Sequence, residues 1–188
     1  MEKLFKRKYP LYYILVPDGI SFKNNNIIPS STFKGSLNYI IKNNLSPIII
    51  CPANKFGSNF SEQFIANKYL ISNGYNGEIY FFEFDVSYYI DTTMNASILK
   101  KNLIKNNFWN INSKCAIITN RYHLNRSLLI FKHFGFNIVD SIGTLRGEKT
   151  KGEKIPLRLS HYRIKLIHSV YEFISVLIVR SKIWLKLI

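Results

Sequence analysis

The sequence is poor in cysteine and has no long apolar segment. Cys51 and Cys115 are its two cysteines, and they lack C-x-x-C spacing. They fall at opposite ends of two predicted parallel strands, so we expect no disulfide and two reduced, buried thiols. The sequence contains no run of about 20 apolar residues, the length needed to span a bilayer. The apolar run Leu11–Val16 is too short for the core of a signal peptide, so we expect a cytoplasmic protein.

Acidic residues are too few to balance the basic ones. The chain has 11 Asp and Glu against 26 Lys and Arg, which gives a formal net charge of +15. This excess indicates an anionic partner, such as a nucleotide, a phosphosugar, an anionic lipid or a nucleic acid, and composition does not choose among them. Apolar residues make up 47% of the 188 positions, which is enough for the core of one ordinary domain.

Several familiar motifs are missing as well. The G-x-G-x-x-G fingerprint is absent, so NAD and FAD are not expected. The G-x-S-x-G nucleophile elbow is absent too, which argues against an α/β-hydrolase triad. His133, His161 and His168 have no metal-ligand spacing with Cys, Asp or Glu, and we predict no metal site. No nucleic-acid motif is present, which makes nucleic acid the least favoured anionic partner.

Apolar runs alternate along the chain with stretches of helical spacing. The predicted strands are Tyr12–Val16, Pro47–Cys51, Glu78–Phe84, Cys115–Thr119 and Phe136–Val139. The predicted helices are Thr32–Asn43, Ser61–Asn73, Asp91–Phe108 and Tyr122–Phe134. Continuous apolar strands indicate burial on both faces, and the intervening helices indicate βαβ units. We therefore predict a Rossmann-like, doubly wound α/β fold of three layers, with about five mainly parallel strands.

We expect one domain over residues 1–188, with its core in 10–140. Residues 141–158 are predicted to form an exposed basic connection. Residues 159–188 are predicted to form a C-terminal amphipathic helical segment, either one long helix or a broken pair. Its apolar stripe comprises Val170, Phe173, Ile174, Leu177, Ile178, Trp184, Leu185 and Ile188, and its positive charges are Arg163, Lys165, Arg180, Lys182 and Lys186. Such a helix either covers the sheet or lies peripherally on an anionic membrane surface.

Ligands of doubly wound folds bind beyond the carboxyl ends of the strands. Among the loops at those ends, the strongest pattern is Thr119–Arg126, which leaves a buried strand and opens a helix. His123 and Arg126 are three residues apart and share a helix face. Imidazole, guanidinium and the free amides of a helix N-terminus together suit an anionic group. The alternative is that His123 is a capping or core histidine and Arg126 a solvated charge.

Other loop residues complete the predicted site. Glu62 is either a pocket carboxylate or a helix-dipole charge, and Asp91 is either an N-cap or a ligand-binding residue. Asn95 lies one turn into its helix and would need partners if buried, so a ligand contact is predicted. Asp18 is either a pocket acid or a turn former. The remaining predicted ligand-binding residues are Gly19, Lys34, Thr92, Thr119 and Asn120.

The segment from Cys115 to Phe136 resembles the signature of the YdcF/SanA/ElyC-like family, whose function is largely unknown. In that signature a strand ends in Thr, Tyr-His-x-x-Arg follows, and a helix reaches a Phe and a closing Gly. The matching residues here are Thr119, His123, Arg126, Phe131 and Gly135. Weaker similarity extends to Ser61-Glu62 with Tyr69-Leu70 and Gly74, and to Asp91–Ala96. The resemblance covers roughly Tyr12 to Val139.

The chain also departs from the family pattern. Pro17-Asp18-Gly19 replaces a glycine-rich turn, and Cys51–Asn54 replaces Ser-Gly-Gly. Lys34 takes the place of an Arg, and Met94 that of the Glu before Asn95. The resemblance implies a Rossmann-like fold, a nucleotide-like ligand such as S-adenosylmethionine, and a link to cell-envelope metabolism. The departures remove a possible acid/base group while leaving ligand binding feasible.

Three hypotheses follow for the function. The leading one is a module that binds a small anionic ligand: nucleotide-like, S-adenosylmethionine-like or a phosphorylated metabolite. The second is a hydrolase or transferase acting on a phosphate or glycosyl phosphate. In that case His123 would be the acid/base, Arg126 would stabilise negative charge, and Glu62 or Asp18 would orient the imidazole. The third is a basic nucleic-acid-binding or membrane-surface protein.

Overall fold

The computed structural model describes residues 11–24, 26–54, 61–84, 90–108, 110, 112–154 and 165–188. The strands in this part of the chain are β1 (Leu11–Leu15), β2 (Ile20–Lys23), β3 (Asn26–Pro29), β4 (Ile48–Ile50), β5 (Ile79–Tyr80), β6 (Lys114–Asn120) and β7 (Ile138–Thr144). The helices are α1 (Ser31–Asn43), α2 (Glu62–Ser72), α3 (Thr92–Lys105), α4 (Arg121–His133) and α5 (Lys165–Trp184).

Five strands form one parallel sheet in the order β5-β4-β1-β6-β7. The chain starts in the middle, moves outward through β4 and β5, and returns to place β6 against the other side of β1. In this register Ile14 lies between Ile49 and Ile117, and all three are fully buried. The central strands are apolar because both of their faces are covered. The predicted Rossmann-like α/β fold is confirmed.

The core has two parts, one on each face of the sheet. Successive strand residues point to opposite faces, so Ile14 and Leu15 enter different clusters. Leu15 packs with α1 and α2 through Phe33 and Leu70. The other cluster, which contains Ile14, is built from α3 and α4 with residues such as Leu99, Leu103, Ile130 and Phe131. The C-terminal helix α5 packs on α4 and adds Val179 to this second cluster.

Both cysteines are free and buried, which agrees with the prediction. Burial raises the pKa of the Cys51 thiol well above its ordinary value, and the nearby Cys115 adds to the effect. Burial also raises the pKa of Cys115 to about 12. Both side chains therefore act as small apolar groups of the core at neutral pH.

The predicted alternation of strands and helices is interrupted by a hairpin. Strands β2 and β3 pair antiparallel between β1 and α1. Asn24 lies in the turn with a φ of 47°, a conformation that asparagine tolerates better than most residues. The strand lengths also differ from prediction. Strand β5 has two residues, paired with two of the three residues of β4, whereas β7 extends to Thr144 alongside the seven residues of β6.

The segment 141–158, predicted to be an exposed connection, begins inside β7. Its first four residues belong to β7, and the backbone that follows lies against α1, where the amide of Gly147 donates to the carbonyl of Ser31 (2.8 Å). Further along, the Glu153 side chain is 2% exposed and pairs with Lys34 at 3.0 Å. A charge that is satisfied by a partner can be buried, which composition alone does not reveal. Residues 155–158 lie outside the described part.

The C-terminal segment forms a single helix, α5, over the part that the structure describes, and residues 159–164 lie outside that part. Among the described residues, no helix combines the length and the apolar character that crossing a bilayer requires.

Candidate functional site

A small polar cavity lies where the adjacent strands β1 and β6 end and the chain leaves them for opposite layers. This is the place where doubly wound folds bind ligands. The cavity has a volume of about 60 Å³. Seven of the eleven predicted site residues line it: Asp18, Gly19, Glu62, Thr92, Asn95, His123 and Arg126. The other described residues of the lining are Pro17, Ala53, Asn54 and Ile90.

One wall is formed by the turn after β1 and the first turn of α2. Gly19 has a φ of 93°, and its amide donates to Oε2 of the buried Glu62 (2.9 Å). The carbonyl of Asp18 accepts from the hydroxyls of Ser30 (2.8 Å) and Thr32 (3.0 Å). Glu62 therefore holds the turn in place as well as facing the cavity, a combination that neither sequence interpretation foresaw.

The N-terminus of α3 forms a second wall. Oδ1 of Asp91 accepts from the amide of Met94 (2.8 Å), so Asp91 is an N-cap. The amide of Asn95 is satisfied when its nitrogen faces the carbonyl oxygens of Asp91 (2.8 Å) and Pro52 (2.6 Å). Oδ1 of Asn54 accepts from the amide of Ile90 (2.9 Å). These bonds join the loop after β4 to α3, and they add Asn54, which the sequence analysis did not select.

Four predicted site residues are not among the described residues that line this cavity. Asp91 serves as the cap of α3, and Asn120 caps α4 by accepting from the amide of Tyr122 (3.2 Å). The hydroxyl of Thr119 is fully buried and donates to the carbonyl of Val16 (3.1 Å), which joins β6 to β1. Lys34 is buried elsewhere, where its Nζ contacts Thr150 (2.6 Å) and Glu153 (3.0 Å).

His123 and Arg126 share one face of α4, as their spacing predicts. Nη2 of Arg126 lies 2.7 Å from Nδ1 of His123. A guanidinium can only donate, so Nδ1 is the acceptor in this contact and the ring proton lies on Nε2. Nε2 faces the hydroxyl of Thr92 at 3.5 Å. The buried imidazole thus presents an N–H group on the side where Thr92 lines the cavity.

Glu172 on α5 completes this cluster, although the sequence analysis missed it. Its Oε1 lies 2.9 Å from Nη2 of Arg126, 3.5 Å from Nδ1 of His123 and 3.9 Å from Nε2 of His168. Burial on its own would raise the pKa of Glu172, but protonated His123, the permanent charge of Arg126 and protonated His168 outweigh it and lower the pKa below its ordinary value. A signal was present in the sequence, because Glu172 is the single acid in residues 154–188.

The charges around the cavity are mixed. Asp18 and Glu62 supply carboxylates, whereas His123, Thr92 and Arg126 supply hydrogen-bond donors. Glu172 neutralises much of the charge of Arg126 from outside the cavity. The arrangement suits a group that donates on one side and accepts on the other. No cluster of three or more metal-binding side chains occurs in the described part of the chain.

Comparison of the chain with protein-family models, with curated proteins and with solved structures returned no match.

Proposed function

We propose that the cavity binds the polar head group of a small metabolite that is nucleotide-like, S-adenosylmethionine-like or phosphorylated. The observation that carries this proposal is the convergence of seven separately predicted residues on one cavity at the carboxyl ends of β1 and β6. Four different segments supply them, and a pocket on which a few polar groups converge is the default site for a ligand. The Tyr-His-x-x-Arg resemblance supports a divergent YdcF/SanA/ElyC-like protein, and a role in envelope metabolism rests on that resemblance.

The chemistry of the lining favours a ligand with both donors and an anionic group. Nε2–H of His123, the hydroxyl of Thr92 and the guanidinium of Arg126 suit a phosphate or carboxylate oxygen. Asp18 and Glu62 suit hydroxyl or ammonium groups, such as those of a ribose or an amino acid. Because Glu172 offsets the charge of Arg126, a simple anion gains little binding free energy from it. The site should therefore prefer ligands that contact both the carboxylates and the hydrogen-bond donors of the cavity.

The size of the cavity limits how much of the ligand is enclosed. A water molecule needs about 10–15 Å³ of such space, so about 60 Å³ accommodates a group the size of one phosphate or carboxylate. The remainder of a nucleotide would lie outside it. We therefore expect adenosine alone to bind more weakly than a nucleoside that carries a phosphate or an amino-acid moiety.

A thermal-shift panel followed by titration calorimetry tests this proposal. The panel contains AMP, ATP, S-adenosylmethionine, glucose 1-phosphate and adenosine. Removing one charge-assisted hydrogen bond costs about 1.5–3 kcal/mol, so Arg126→Ala should weaken binding by roughly tenfold to a hundredfold. Lys132→Ala removes an exposed cation from the same helix and should bind like the parent chain. No shift with any compound, or equal loss in both variants, would refute the proposal.

Acid/base catalysis on a phosphate or glycosyl phosphate is the second candidate. The observation that favours it is the buried imidazole whose Nε2–H is directed towards Thr92 while Arg126 holds its Nδ1. His123→Gln keeps a donor but cannot exchange a proton at neutral pH. If the protein is an enzyme, His123→Gln should reduce turnover by about 10²–10⁴-fold while binding persists. Release of inorganic phosphate from the phosphorylated panel members measures this, and zero release by the parent chain would exclude those reactions.

A further inference from the structure

The first half of α5 has the opposite polarity to an ordinary surface helix. A helix on the surface of a protein turns its apolar side inward and its polar side to water. In α5 the ionisable residues His168 and Glu172 are 0% and 3% exposed, whereas Leu166 and Phe173 are 73% and 65% exposed. The polar side chains of this part of α5 therefore face α4, and several of its apolar side chains are exposed to solvent.

The uncovered side chains form a continuous face. Every exposed residue between positions 166 and 178 is apolar or aromatic. We call this the outer face of α5; its members are Leu166, Ile167, Val170, Phe173, Ile174, Leu177 and Ile178. Tyr171 lies at its edge, with the Arg126 guanidinium 5.9 Å from the centre of its ring. Large contiguous apolar patches on soluble proteins mark interaction sites, so the outer face requires an apolar partner.

The surroundings of the outer face are basic. The exposed residues Arg180, Lys182 and Lys186 follow it directly, with the strongly exposed Trp184 among them. The acid of this segment, Glu172, is turned inward and paired with Arg126. An apolar face that ends in cations and a tryptophan complements the interface of an anionic bilayer, where tryptophan sits at head-group level and each basic residue near the surface adds to the attraction.

A second copy of the chain fits the same face less well. Parallel pairing of two α5 helices would bring both sets of Arg180, Lys182 and Lys186 together. Each copy also carries a formal net charge of +15, so association must overcome mutual repulsion. A bilayer that contains anionic lipid meets the apolar requirement and neutralises these charges at once. We propose that α5 lies in the plane of an anionic membrane surface, with its outer face in the lipid and its His168–Glu172 face on α4.

Flotation of the full chain with lipid vesicles tests this proposal. The vesicles are pure phosphatidylcholine or phosphatidylcholine with 30% phosphatidylglycerol. We expect the protein to float with the anionic vesicles, with at least tenfold weaker binding to the neutral ones. Because basic residues contribute, binding should also fall as salt rises from 50 to 500 mM.

Two double variants distinguish binding through the outer face from nonspecific hydrophobic binding by other exposed side chains. Ile174→Ser/Ile178→Ser removes two half-exposed isoleucines from α5, and Ile71→Ser/Ile104→Ser removes two equally exposed isoleucines from α2 and α3. The first should lose at least tenfold in vesicle affinity and the second should bind like the parent chain, with equal circular dichroism for all three. Light scattering after size exclusion reports the oligomeric state. Equal binding by both variants, no flotation of the parent chain, or a dimer that the α5 variant dissociates would overturn the proposal.

Discussion

Replacing Glu172 by Gln should destabilise the protein at neutral pH. Glu172 is 3% exposed, and its Oε1 lies 2.9 Å from the guanidinium of Arg126. Gln keeps the shape and an acceptor oxygen but removes the charge. Breaking a buried ion pair by deleting one partner costs about 3–5 kcal/mol. The Arg126 side chain is 15% exposed and Gln retains one hydrogen bond, so we expect a smaller loss, about 1–3 kcal/mol.

The loss should depend on pH in a defined direction. The pKa of Glu172 in the folded protein lies below its ordinary value of 4.5. A carboxyl with a lowered folded pKa stabilises the folded state fully above its unfolded pKa, and this contribution disappears as pH falls through the folded value. The difference between the parent chain and Glu172→Gln should therefore be present at pH 7 and shrink below about pH 4.5.

Urea denaturation followed by circular dichroism measures both effects. The control is Glu148→Gln, which neutralises an exposed acid on the connection before Glu153 and should change the free energy of unfolding by less than about 0.5 kcal/mol. Equal stability of Glu172→Gln and Glu148→Gln at pH 7 would contradict this prediction. A loss of stability in Glu172→Gln that persists unchanged at pH 3.5 would also contradict it, because the ion pair would then not be its source.

Three further substitutions test the fold around the site. Gly35→Ala should destabilise the folded protein by about 1–3 kcal/mol, because a Cβ at this position would lie 1.8 Å from the carbonyl oxygen of Leu145. The clash should outweigh the helix preference of alanine, and a melting temperature equal to or above that of the parent chain would contradict this. Asp91→Ala should cost about 1 kcal/mol by removing the cap of α3, read from the urea midpoint. Lys34→Met should destabilise the protein at neutral pH, because it leaves the Glu153 carboxylate without its cation. The loss of stability should disappear in acid as Glu153, whose pKa is lowered in the folded protein, becomes protonated; a loss that is independent of pH would show that the ion pair is not its source.

The sheet could be predicted from the sequence because its central strands are continuous apolar runs, which indicate burial on both faces. Ile48–Ile50 and Cys115–Ile118 are apolar throughout, a pattern typical of a strand covered on both faces. The hairpin β2–β3 was not predicted, because its strands have only four residues each and neither contains a continuous apolar run. The length of β7 escaped as well, since Asp140, Ser141 and Gly143 resemble a turn. Pairing with β6 overrides that local preference.

The site could be predicted as far as its residues occupy the loops after the strands. His123 and Arg126 share a face by helical geometry alone, and the doubly wound rule brings Asp18, Glu62 and Asn95 to the same edge. Lys34 could not be separated from this group, because its partner Glu153 lies 119 positions away. Glu172 could not be placed either, since nothing in the spacing of α5 indicates that its ionisable side faces α4.

Arg126 connects the two proposals, because it contacts both the cavity and α5. Its guanidinium lines the cavity and is held by Glu172 on the other side. If a phosphate binds in the cavity as proposed, it would compete with Glu172 for the donors of Arg126 and so weaken the ion pair between α4 and α5. Thermodynamic linkage is reciprocal. If the bound ligand changes the affinity of α5 for a membrane by some factor, the membrane changes the affinity of the cavity for the ligand by the same factor. Glu172→Gln removes the charge from the shared contact, and we therefore expect it to weaken the coupling between the two affinities even where each binding event survives.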